Sequence, residues 1–430
     1  MTTIEVDAPL VVVSSDCHIG PGCEQLRPYC PADLRDEFEA FAARVGAIVE
    51  EFDKARQLFD AVPAMITLNR NLATDGHHDP HARARDLDFD GVAAEVIFHG
   101  SENHEPIPFV EPQLGTGTSA RERELAAAGM HMYNQWLADF CSYEPERHVG
   151  VAQLPLWDID AAIAEAEWAA SAGLRSVNLP AESGPESGRG FRGDVPYQDA
   201  AWEPFWSACA DLGLPLSSHG GAGTPGPGVI GRAIWLSEQM PLNTRPLSRL
   251  VLSGVFGRHP TLVLVRTENP GRWWASTVED LDSLYWNRFI GSLDHLSMPP
   301  SGYCARNVYV GASFHSPLEA ADAVEHGYSD RVLWGSDYPH TEGTWQFPDD
   351  WDDAPVTRLA LRHTYAGLPA AAVRAMVGEN AINAYGLDRD ALLAVASRIG
   401  APTTRELATP IDAIPDNPGM WAFRRESTWH

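Results

Sequence analysis

Carboxylate and imidazole side chains stand at the ends of several short apolar runs in this sequence. The run at 10–15 leads directly into Asp16 and His18, which are two residues apart. Side chains at this spacing point to the same side of an extended chain, so both can reach one ion. Carboxylate oxygen and imidazole nitrogen both bind divalent Zn, Mn and Fe. The pair therefore predicts a metal site, and the structural alternative is a helix-capping aspartate followed by a loop histidine.

Two more runs end in the same residue types. His219 follows the run at 214–218 and precedes glycines that let a backbone or a substrate approach closely. Asp337 follows the run at 331–335, where it can bind an ion and accept a proton from water. His340, three residues later, suits a role in positioning a substrate. The alternatives are a buried histidine bonded to a carbonyl group and an aspartate that caps the next segment.

Glu268 and His99 extend this set of candidates. Glu268 follows the run at 262–267 and is a candidate ligand or base, with a structural carboxylate as the alternative. His99 follows the run at 95–98, and its alternative roles are substrate hydrogen bonding and loop packing. One open catalytic ion needs fewer ligands than this set supplies, so the set could hold two ions. The candidate metal ligands are Asp16, His18, His99, His219, Glu268 and Asp337, and the candidate catalytic residues are Asp337, His340 and Glu268.

Eight short apolar runs, with helical segments between them, must position these residues. The runs are nearly continuous rather than alternating, which is typical of parallel strands covered on both faces. Helix formers with apolar residues at helical spacing separate the runs, as in 121–142 and 158–172. This alternation predicts an α/β fold, a (β/α)8 TIM barrel, whose active sites lie at the carboxyl ends of the strands. The predicted strands are 10–15, 95–98, 149–154, 175–179, 214–218, 262–267, 308–312 and 331–335.

Three segments exceed what a minimal barrel needs. Residues 19–90 are too long for one crossover and predict a helical insertion after the first strand, in which the HHDPH segment at 77–81 is expected to be solvated. Residues 181–197 form a Gly/Pro-rich loop after the fourth strand. We therefore predict a metal-dependent barrel over residues 1–385, including the insertion 19–90, and a C-terminal extension over 386–430.

Five segments carry more specific motifs: SSDCHIG, YNQWLADFCSYEPERHVGVAQLPLWD, PLSSHGGAG, TENPGRWWASTVEDLD and LWGSDYPHTEG. Over roughly residues 10–385 the chain resembles the amidohydrolase superfamily. Within it, the motifs are similar to those of the amidohydrolase-2 branch, which includes aminocarboxymuconate-semialdehyde, resorcylate and carboxyvanillate decarboxylases. The resemblance implies that the metal ligands are Asp16, His18, His219 and Asp337.

The chain departs from the pattern of this family at three places. Many members have His-x-His after the first strand, whereas this chain has Asp16, and the decarboxylases often carry an acidic residue there. Glu268 stands where a histidine commonly follows the sixth strand. Many dinuclear members use a carbamylated lysine from the fourth strand, but here that strand ends in Asn178-Leu179-Pro180.

These residues predict a metal-dependent enzyme that acts on a small organic substrate by hydrolysis or by non-oxidative decarboxylation. In hydrolysis, Asp337 would take a proton from water while His340 helps to position the substrate. In decarboxylation, the ion would chelate a carboxylate and a neighbouring hydroxyl, and an acid would protonate the carbon as CO₂ leaves. The sequence leaves both reactions open, with one or two divalent Zn, Mn or Fe ions per chain as the cofactor.

Two further functions are alternatives. A dinuclear non-haem iron oxygenase on the same barrel is motivated by His99 and Glu268 and by the missing lysine. A non-catalytic subunit of a metalloenzyme complex is the non-enzymatic alternative, and the retained Asp16, His18, His219 and Asp337 argue against it.

Composition restricts the partners of the protein. Its 430 residues contain 31 Lys and Arg against 59 Asp and Glu, a formal net charge of −28, which repels nucleic acid and anionic lipid. No apolar stretch is long enough to predict a membrane span. The 6 cysteines form no CxxC pair and the N-terminus has no signal-peptide pattern, so a cytoplasmic location is expected. The expected partner is a small-molecule substrate, and homo- or hetero-oligomerisation stays open.

Overall fold

Each of the eight apolar runs forms a strand in the computed structural model. The structure describes residues 8–58, 63–110, 119–181, 195–220, 228–287, 289, 291–415, 421–425 and 428. The Gly/Pro-rich loop predicted at 181–197 lies mostly outside these residues, as does part of the predicted extension at 386–430. The strands are β1 Val13–Ile19, β2 Ala94–His99, β3 His148–Ala152, β4 Ser176–Asn178, β5 Leu216–Ser218, β6 Leu264–Arg266, β7 Val308–Ser313 and β8 Val332–Trp334.

The strands pair in parallel in the order β1 to β8, and helices connect them. The ring closes where β1 meets the segment after β8: the backbone N–H of Asp337 donates to the carbonyl of Asp16 at 2.8 Å. A parallel bridge joins Cys17 to Tyr338 at the same place. The predicted (β/α)8 TIM barrel is therefore confirmed, and its closure brings two candidate ligands together.

Helices cover the outside of the barrel and build the insertion. Capping residues bound several of the helices; for example, Asp79 accepts hydrogen bonds at the start of one helix, and Gly91 ends it in the left-handed conformation with φ 76°. The helices are α1 Cys23–Leu26, α2 Arg35–Leu58, α3 Pro63–Asn71, α4 Pro80–Asp90, α5 Ala120–Cys141, α6 Ile159–Ser171, α7 Glu203–Leu212, α8 Gly228–Asn243, α9 Arg245–Leu252, α10 Val255–Arg258, α11 Trp274–Trp286, α12 Pro300–Asn307, α13 Pro317–Glu325, α14 Val356–Tyr365, α15 Ala370–Arg374, α16 Asn380–Tyr385, α17 Arg389–Arg398 and α18 Thr404–Leu407. Within the described ranges, no helix has both the length and the apolar character that crossing a bilayer requires.

The first strand continues further than the apolar pattern indicated. The apolar run at 10–15 was expected to end in Asp16 and His18, and β1 runs through both to Ile19, which pairs with His99 of β2. All seven residues of β1 are buried. Pairing with β2 keeps the backbone of Asp16 and His18 extended although both residues are polar. The two candidate ligands are consequently held by the sheet and not by a loop.

Two buried layers hold the barrel together. Inside the ring, branched side chains from alternate strand positions pack on one another, among them Val13, Val96, Val151, Val265 and Leu333. Alternation of direction along each strand sends the intervening residues outward against the helices. The filled interior leaves the strand ends as the part of the barrel that can bind a ligand.

Helix α17 of the predicted extension packs at the amino-terminal end of the barrel. Its residues Leu392 and Val395 belong to the same buried cluster as the barrel interior. The chain nearby is fixed by a hydrogen bond from the Leu10 N–H to the Pro402 carbonyl at 2.9 Å. This part of the extension therefore contributes to the barrel core, while the domain division at residue 385 stays a prediction.

His77 in the insertion is buried, with 4% of its surface exposed, so the expectation that the whole HHDPH segment is solvated was wrong for this residue. It ends a short turn of 3₁₀-helix, Asp75–His77, that packs beside the exit of β1. Its carbonyl accepts a hydrogen bond from the Gly20 N–H at 3.1 Å. Tertiary packing against β1 thus overrides the polar local composition, whereas His81 is exposed as expected.

A buried ion pair supports β1 and β2 from the insertion. The Arg83 guanidinium of α4 donates to Glu95 of β2 at 2.6 to 3.0 Å, and both side chains are fully buried. The Nδ1 atom of His148 lies 3.0 Å from Oε1 of Glu95. Arg83 also donates to the carbonyl of His18 at 3.0 Å. The network therefore helps to fix the backbone that carries a candidate ligand.

Asp90 at the end of α4 makes the stability of the fold dependent on pH. It is buried, accepts a hydrogen bond from Thr357 at 2.6 Å, and burial raises its pKa to about 8. An aspartate in the unfolded chain ionises near pH 4, so between about pH 4 and 8 the folded state binds the extra proton. The contribution of Asp90 to the free energy of unfolding is therefore fully present below about pH 4 and is lost as the pH rises to about 8.

We expect Asp90→Asn to remove this dependence because the amide is neutral at every pH and keeps an oxygen for Thr357. Between pH 5 and 8, the free energy of unfolding of the wild type should fall relative to the variant by up to about 1.4 kcal/mol per pH unit. Urea titrations of both proteins at pH 5, 6, 7, 8 and 9 measure the difference. Parallel pH profiles for the two proteins would contradict the assignment.

Candidate metal centre

The structure brings Asp16, His18 and His219 together at the carboxyl end of the barrel. One ligand atom from each lies within 4.8 Å of the other two. The Nε2 atom of His219 is 3.2 Å from Asp16 Oδ1 and 3.1 Å from His18 Nε2. Asp16 and His18 come from β1, and His219 is the first residue after β5. Strands on opposite sides of the barrel therefore aim three ligand atoms at one point.

Carbonyl groups orient both imidazole rings. The Nδ1 atom of His18 lies 3.5 Å from the His99 carbonyl, and Nδ1 of His219 lies 3.1 Å from the Gly220 carbonyl. A ring that donates its Nδ1–H to a carbonyl keeps the lone pair on Nε2 for a ligand. Two such lone pairs at 3.1 Å repel each other unless a proton or a cation lies between them.

Asp337 adds a carboxylate to this centre from the exit of β8. It is fully buried, and its Oδ1 lies 3.3 Å from Nε2 of His18. Its backbone has φ 56°, a left-handed conformation that Asp and Asn adopt more readily than most residues. Burial by itself would raise the pKa of Asp337, but His340 and His18 beside it lower that pKa well below its usual range. The carboxylate is therefore held as an anion.

The residues fit a divalent ion. The Oδ2 atoms of Asp16 and Asp337 are buried and receive no hydrogen bond from the residues that the structure describes. Buried polar atoms in this state are costly unless a cation or water completes them. For His219, burial lowers the pKa, but the Asp16 carboxylate raises it more, to about 9, so the same field that attracts a proton attracts a metal ion.

His340 lies beside the ligands. Its Nδ1 is 2.9 Å from Asp337 Oδ1, and its Nε2 is 2.7 Å from the Gly100 carbonyl. The ring stacks on His18 with centroids 3.9 Å apart. Burial lowers the pKa of His340, but the effect of the Asp337 carboxylate is larger and opposite, so the pKa lies well above its ordinary value. His340 is therefore placed to hold a proton next to Asp337.

Glu268 reaches the centre from the exit of β6. Its Oε2 lies 3.5 Å from Nδ1 of His219, and its backbone also has a left-handed φ of 50°. Burial raises the pKa of Glu268 to about 8; His219 opposes this rise, while Asp337 and Asp16 add to it. The predicted place of this residue beside the ligands agrees with the geometry, and its role stays a prediction.

The ring of His99 lies outside the three ligand groups that the described residues form. It packs edge-on against Tyr133 with centroids 5.2 Å apart, and burial lowers its pKa to about 4. Its contribution to the centre is the backbone carbonyl that faces His18. The last residue of β2 points its ring into the helix layer, which the sequence pattern did not reveal.

Two carboxylates near the centre were missed by sequence reasoning. Glu342 forms a ligand group with Glu268 and Asp337, and Glu102 lies close enough to His340 to affect its pKa. Burial raises the pKa of Glu102 to about 7. Glu102 follows β2 by a few residues in the segment HGSENH, and Glu342 follows β8 by a few residues in the segment SDYPHTEG. Their position just beyond the histidines was the available signal.

Comparisons of the sequence with known proteins bear on the family of the chain. A family model described as "Amidohydrolase" matches residues 102–387, about two thirds of the chain. The gamma-resorcylate decarboxylase of Rhizobium sp. (strain MTP-10005) is 24% identical over 227 residues, which cover 48% of this chain and 64% of that protein. The match thus spans less than two thirds of the length of this curated relative.

Solved structures share the fold. A 2,6-dihydroxybenzoate decarboxylase from Rhizobium superposes with a TM-score of 0.54 and 20% identity, covering 89% of this chain and 99% of that one. A dihydroxybenzoic acid decarboxylase from Polaromonas sp. JS666, solved with manganese and the inhibitor 2-nitroresorcinol, has a TM-score of 0.54 and 18% identity, covering 89% and 98%. At this level of identity the likeness demonstrates a common architecture.

Proposed function

The chain belongs to the amidohydrolase family, as its motifs indicated, and on this premise we propose that it is a metal-dependent decarboxylase of a small hydroxy-aromatic acid. The observation that carries the proposal is the convergence of carboxylate and imidazole atoms from opposite strands on one point. The proposed ligands of the ion are Asp16, His18, His219 and Asp337. The names of the relatives support the substrate class and manganese as the metal.

When bound, a divalent ion would supply a Lewis acid that polarises a carboxylate or carbonyl oxygen and lowers the pKa of water. The chain supplies orientation and a proton. Asp337 and His340 form a pair that can hold one proton, since Oδ1 and Nδ1 are 2.9 Å apart. In decarboxylation this proton goes to the ring carbon, the bond from that carbon to the carboxylate breaks, and CO₂ leaves.

Hydrolysis is the second candidate, because one observation favours it. The Oδ2 atom of Asp337 is buried without a hydrogen bond from the described residues, so it can accept a proton from water that attacks a carbonyl carbon. His340 would then return the proton to the leaving group. Both reactions use the same metal ligands. In decarboxylation Asp337 and His340 first give a proton to the substrate, whereas in hydrolysis they first take a proton from water.

Turnover assays separate the candidates. We expect protein loaded with Mn²⁺ to release CO₂ from 2,6-dihydroxybenzoate or a related 2-hydroxybenzoate, and to lose this activity in EDTA and regain it when Mn²⁺ returns. The same protein is incubated with a panel of carboxylic esters, lactones and amides, and oxygen consumption is recorded in parallel. The variant His219→Ala tests the metal centre in the same assays, because it removes one proposed ligand.

Each outcome has a definite meaning. Metal-dependent CO₂ release supports the decarboxylase, and metal-dependent ester or amide cleavage without CO₂ supports the hydrolase instead. Oxygen consumption coupled to turnover of an iron-loaded protein would replace both with the oxygenase alternative. Mn²⁺-loaded wild type and His219→Ala with equal activity would contradict the proposed metal centre.

A further inference from the structure

Arg266 of β6 carries a buried guanidinium that is only partly satisfied. The side chain is fully buried, and its Nη1 donates to the Ser218 carbonyl at 3.0 Å. The Nε and Nη2 atoms are buried and have no hydrogen-bond partner among the residues that the structure describes. We propose that these two nitrogens, together with the Ser218 hydroxyl, bind a small carboxylate anion such as formate, acetate or bicarbonate.

Arg83 shows what the same edge of a guanidinium binds elsewhere in this protein. Its Nε donates to the two oxygens of Glu95 at 3.0 and 2.9 Å, and its Nη2 donates to Oε2 at 2.6 Å. Nε and Nη2 form a planar pair of donors that matches the two oxygens of a carboxylate. Arg266 offers the same pair in the same state of burial, but no described residue provides the carboxylate.

The Ser218 hydroxyl supplies a third donor. Ser218 is the partner of Arg266 in the register of β5 and β6, and paired residues of neighbouring strands leave the sheet on the same face. The Oγ atom of Ser218 is also buried without a hydrogen-bond partner among the described residues. A carboxylate at this place would accept hydrogen bonds from all three unpartnered atoms.

The proposed anion site lies on the helix side of the barrel wall. Val265 of β6 packs in the barrel interior, while Leu264 packs in the cluster beneath the helices. Because direction alternates along a strand, Arg266 leaves the sheet on the side of Leu264. His219, the residue after Ser218, faces the metal centre. The anion site and the metal centre are therefore on different faces of the sheet.

Charge explains why an anion belongs there. Burial lowers the pKa of Arg266 to about 9, and the neighbour that opposes this effect is Tyr197, not a carboxylate. The side chain is therefore still a cation at neutral pH. A buried charge without a counter-ion is costly to the fold, and a bound carboxylate supplies both the opposite charge and the acceptor oxygens. Full burial of the guanidinium favours a small anion over a large ligand.

Thermal unfolding of the full-length, Mn²⁺-loaded protein in carboxylate-free buffer tests the proposal. Sodium formate is the probe, and sodium chloride at the same ionic strength is the comparison, because chloride is a single atom and lacks the paired oxygens. We expect a saturable rise of the unfolding temperature in formate alone, since an anion that binds the folded state stabilises it. In Ser218→Ala the dissociation constant of formate should rise at least about tenfold, through the loss of one hydrogen bond to a charged group.

Two substitutions of Arg266 separate its charge from its shape. Arg266→Met removes the charge, so without formate it should be at least as stable as the wild type, and it should not respond to formate. Arg266→Lys keeps the charge but loses the paired nitrogens, so formate should stabilise it no more than chloride does. Arg389→Met, which removes a guanidinium with 53% of its side chain exposed, is the control and should respond like the wild type.

The variant His219→Ala distinguishes this site from the metal centre, where a bound ion would also attract formate. The rise in formate should persist in His219→Ala. A rise that disappears in His219→Ala and persists in Arg266→Met would assign the anion to the metal centre and overturn the inference. Equal effects of formate and chloride on the wild type would overturn it as well. A wild type that does not respond to formate would also overturn it, and a loss of stability in Arg266→Met would then show that the guanidinium already has a partner within the chain.

Discussion

Replacing Asp337 by asparagine should reduce kcat/KM at least about 10³-fold while leaving the fold intact, because the residue both binds the proposed ion and holds the reacting proton. Asparagine keeps the size of the side chain but loses its charge. Oδ1 then no longer offers an anion to His18 and His340 at 3.3 and 2.9 Å. The proton held between Asp337 and His340 loses its acceptor.

Asparagine is the informative substitution at this position. The left-handed φ of 56° is tolerated by Asn, and the backbone hydrogen bond to Asp16 that closes the barrel is kept. Alanine would add backbone strain and confuse a catalytic loss with a structural one. Kinetic assays with a substrate of the class proposed above, together with thermal unfolding and metal analysis, measure the effect. Asp352→Asn, an exposed aspartate after the same strand, is the control, and wild-type turnover in Asp337→Asn would reject the assigned role.

Glu95→Gln should destabilise the fold by about 3–5 kcal/mol, the largest expected effect on stability. Glu95 receives hydrogen bonds from Arg83 and contacts His148, and all three side chains are buried. The amide removes the negative charge and leaves the Arg83 guanidinium unpaired in the interior. Breaking one partner of a buried pair costs more than the pair itself contributes, because the remaining charge has lost its solvent and its counter-ion.

The chain contains a matched control for this variant. Glu203 pairs with Arg258 and His259 through the same residue types, but its side chain and that of Arg258 are 38% and 46% exposed. Solvent screens such a pair, so Glu203→Gln should cost less than about 1 kcal/mol.

Urea midpoints of the two Glu→Gln variants give the comparison. The double variant Arg83→Met, Glu95→Leu should recover part of the loss, because it leaves no buried charge without a partner. Equal midpoints for Glu95→Gln and Glu203→Gln would show that burial does not control the strength of the inner pair.

The barrel and the main candidate ligands were predictable from local sequence patterns. The near-continuous apolar runs predicted eight parallel strands, and all eight form in the structure. The carboxyl ends of parallel strands in a closed barrel meet at one rim, so residues that follow strands must lie near one another. The sequence pattern therefore predicts that Asp16, His18, His219 and Asp337 lie together at this rim.

Other features depend on contacts between segments far apart in the chain. The burial of His77 arises from its packing beside β1, and the partnership of Arg83 with Glu95 arises from the insertion folding over β2. Neither the burial of His77 nor this ion pair is indicated by the local sequence, because a polar residue type occurs both in solvated loops and, when paired, in the interior. The expectation for His77 failed for this reason.

The sequence by itself determined the barrel and which strand ends carry acids and imidazoles, because both are encoded in the order of residue types along each strand. Only the tertiary structure decided which of those side chains face the centre. The ring of His99 turns away and offers its carbonyl, while Glu342 turns in beside Glu268 and Asp337. The direction of a side chain beyond a strand depends on the local φ and on the neighbouring strand against which it packs. These are properties of the closed barrel, set by packing across it and absent from the order of residues in any single segment.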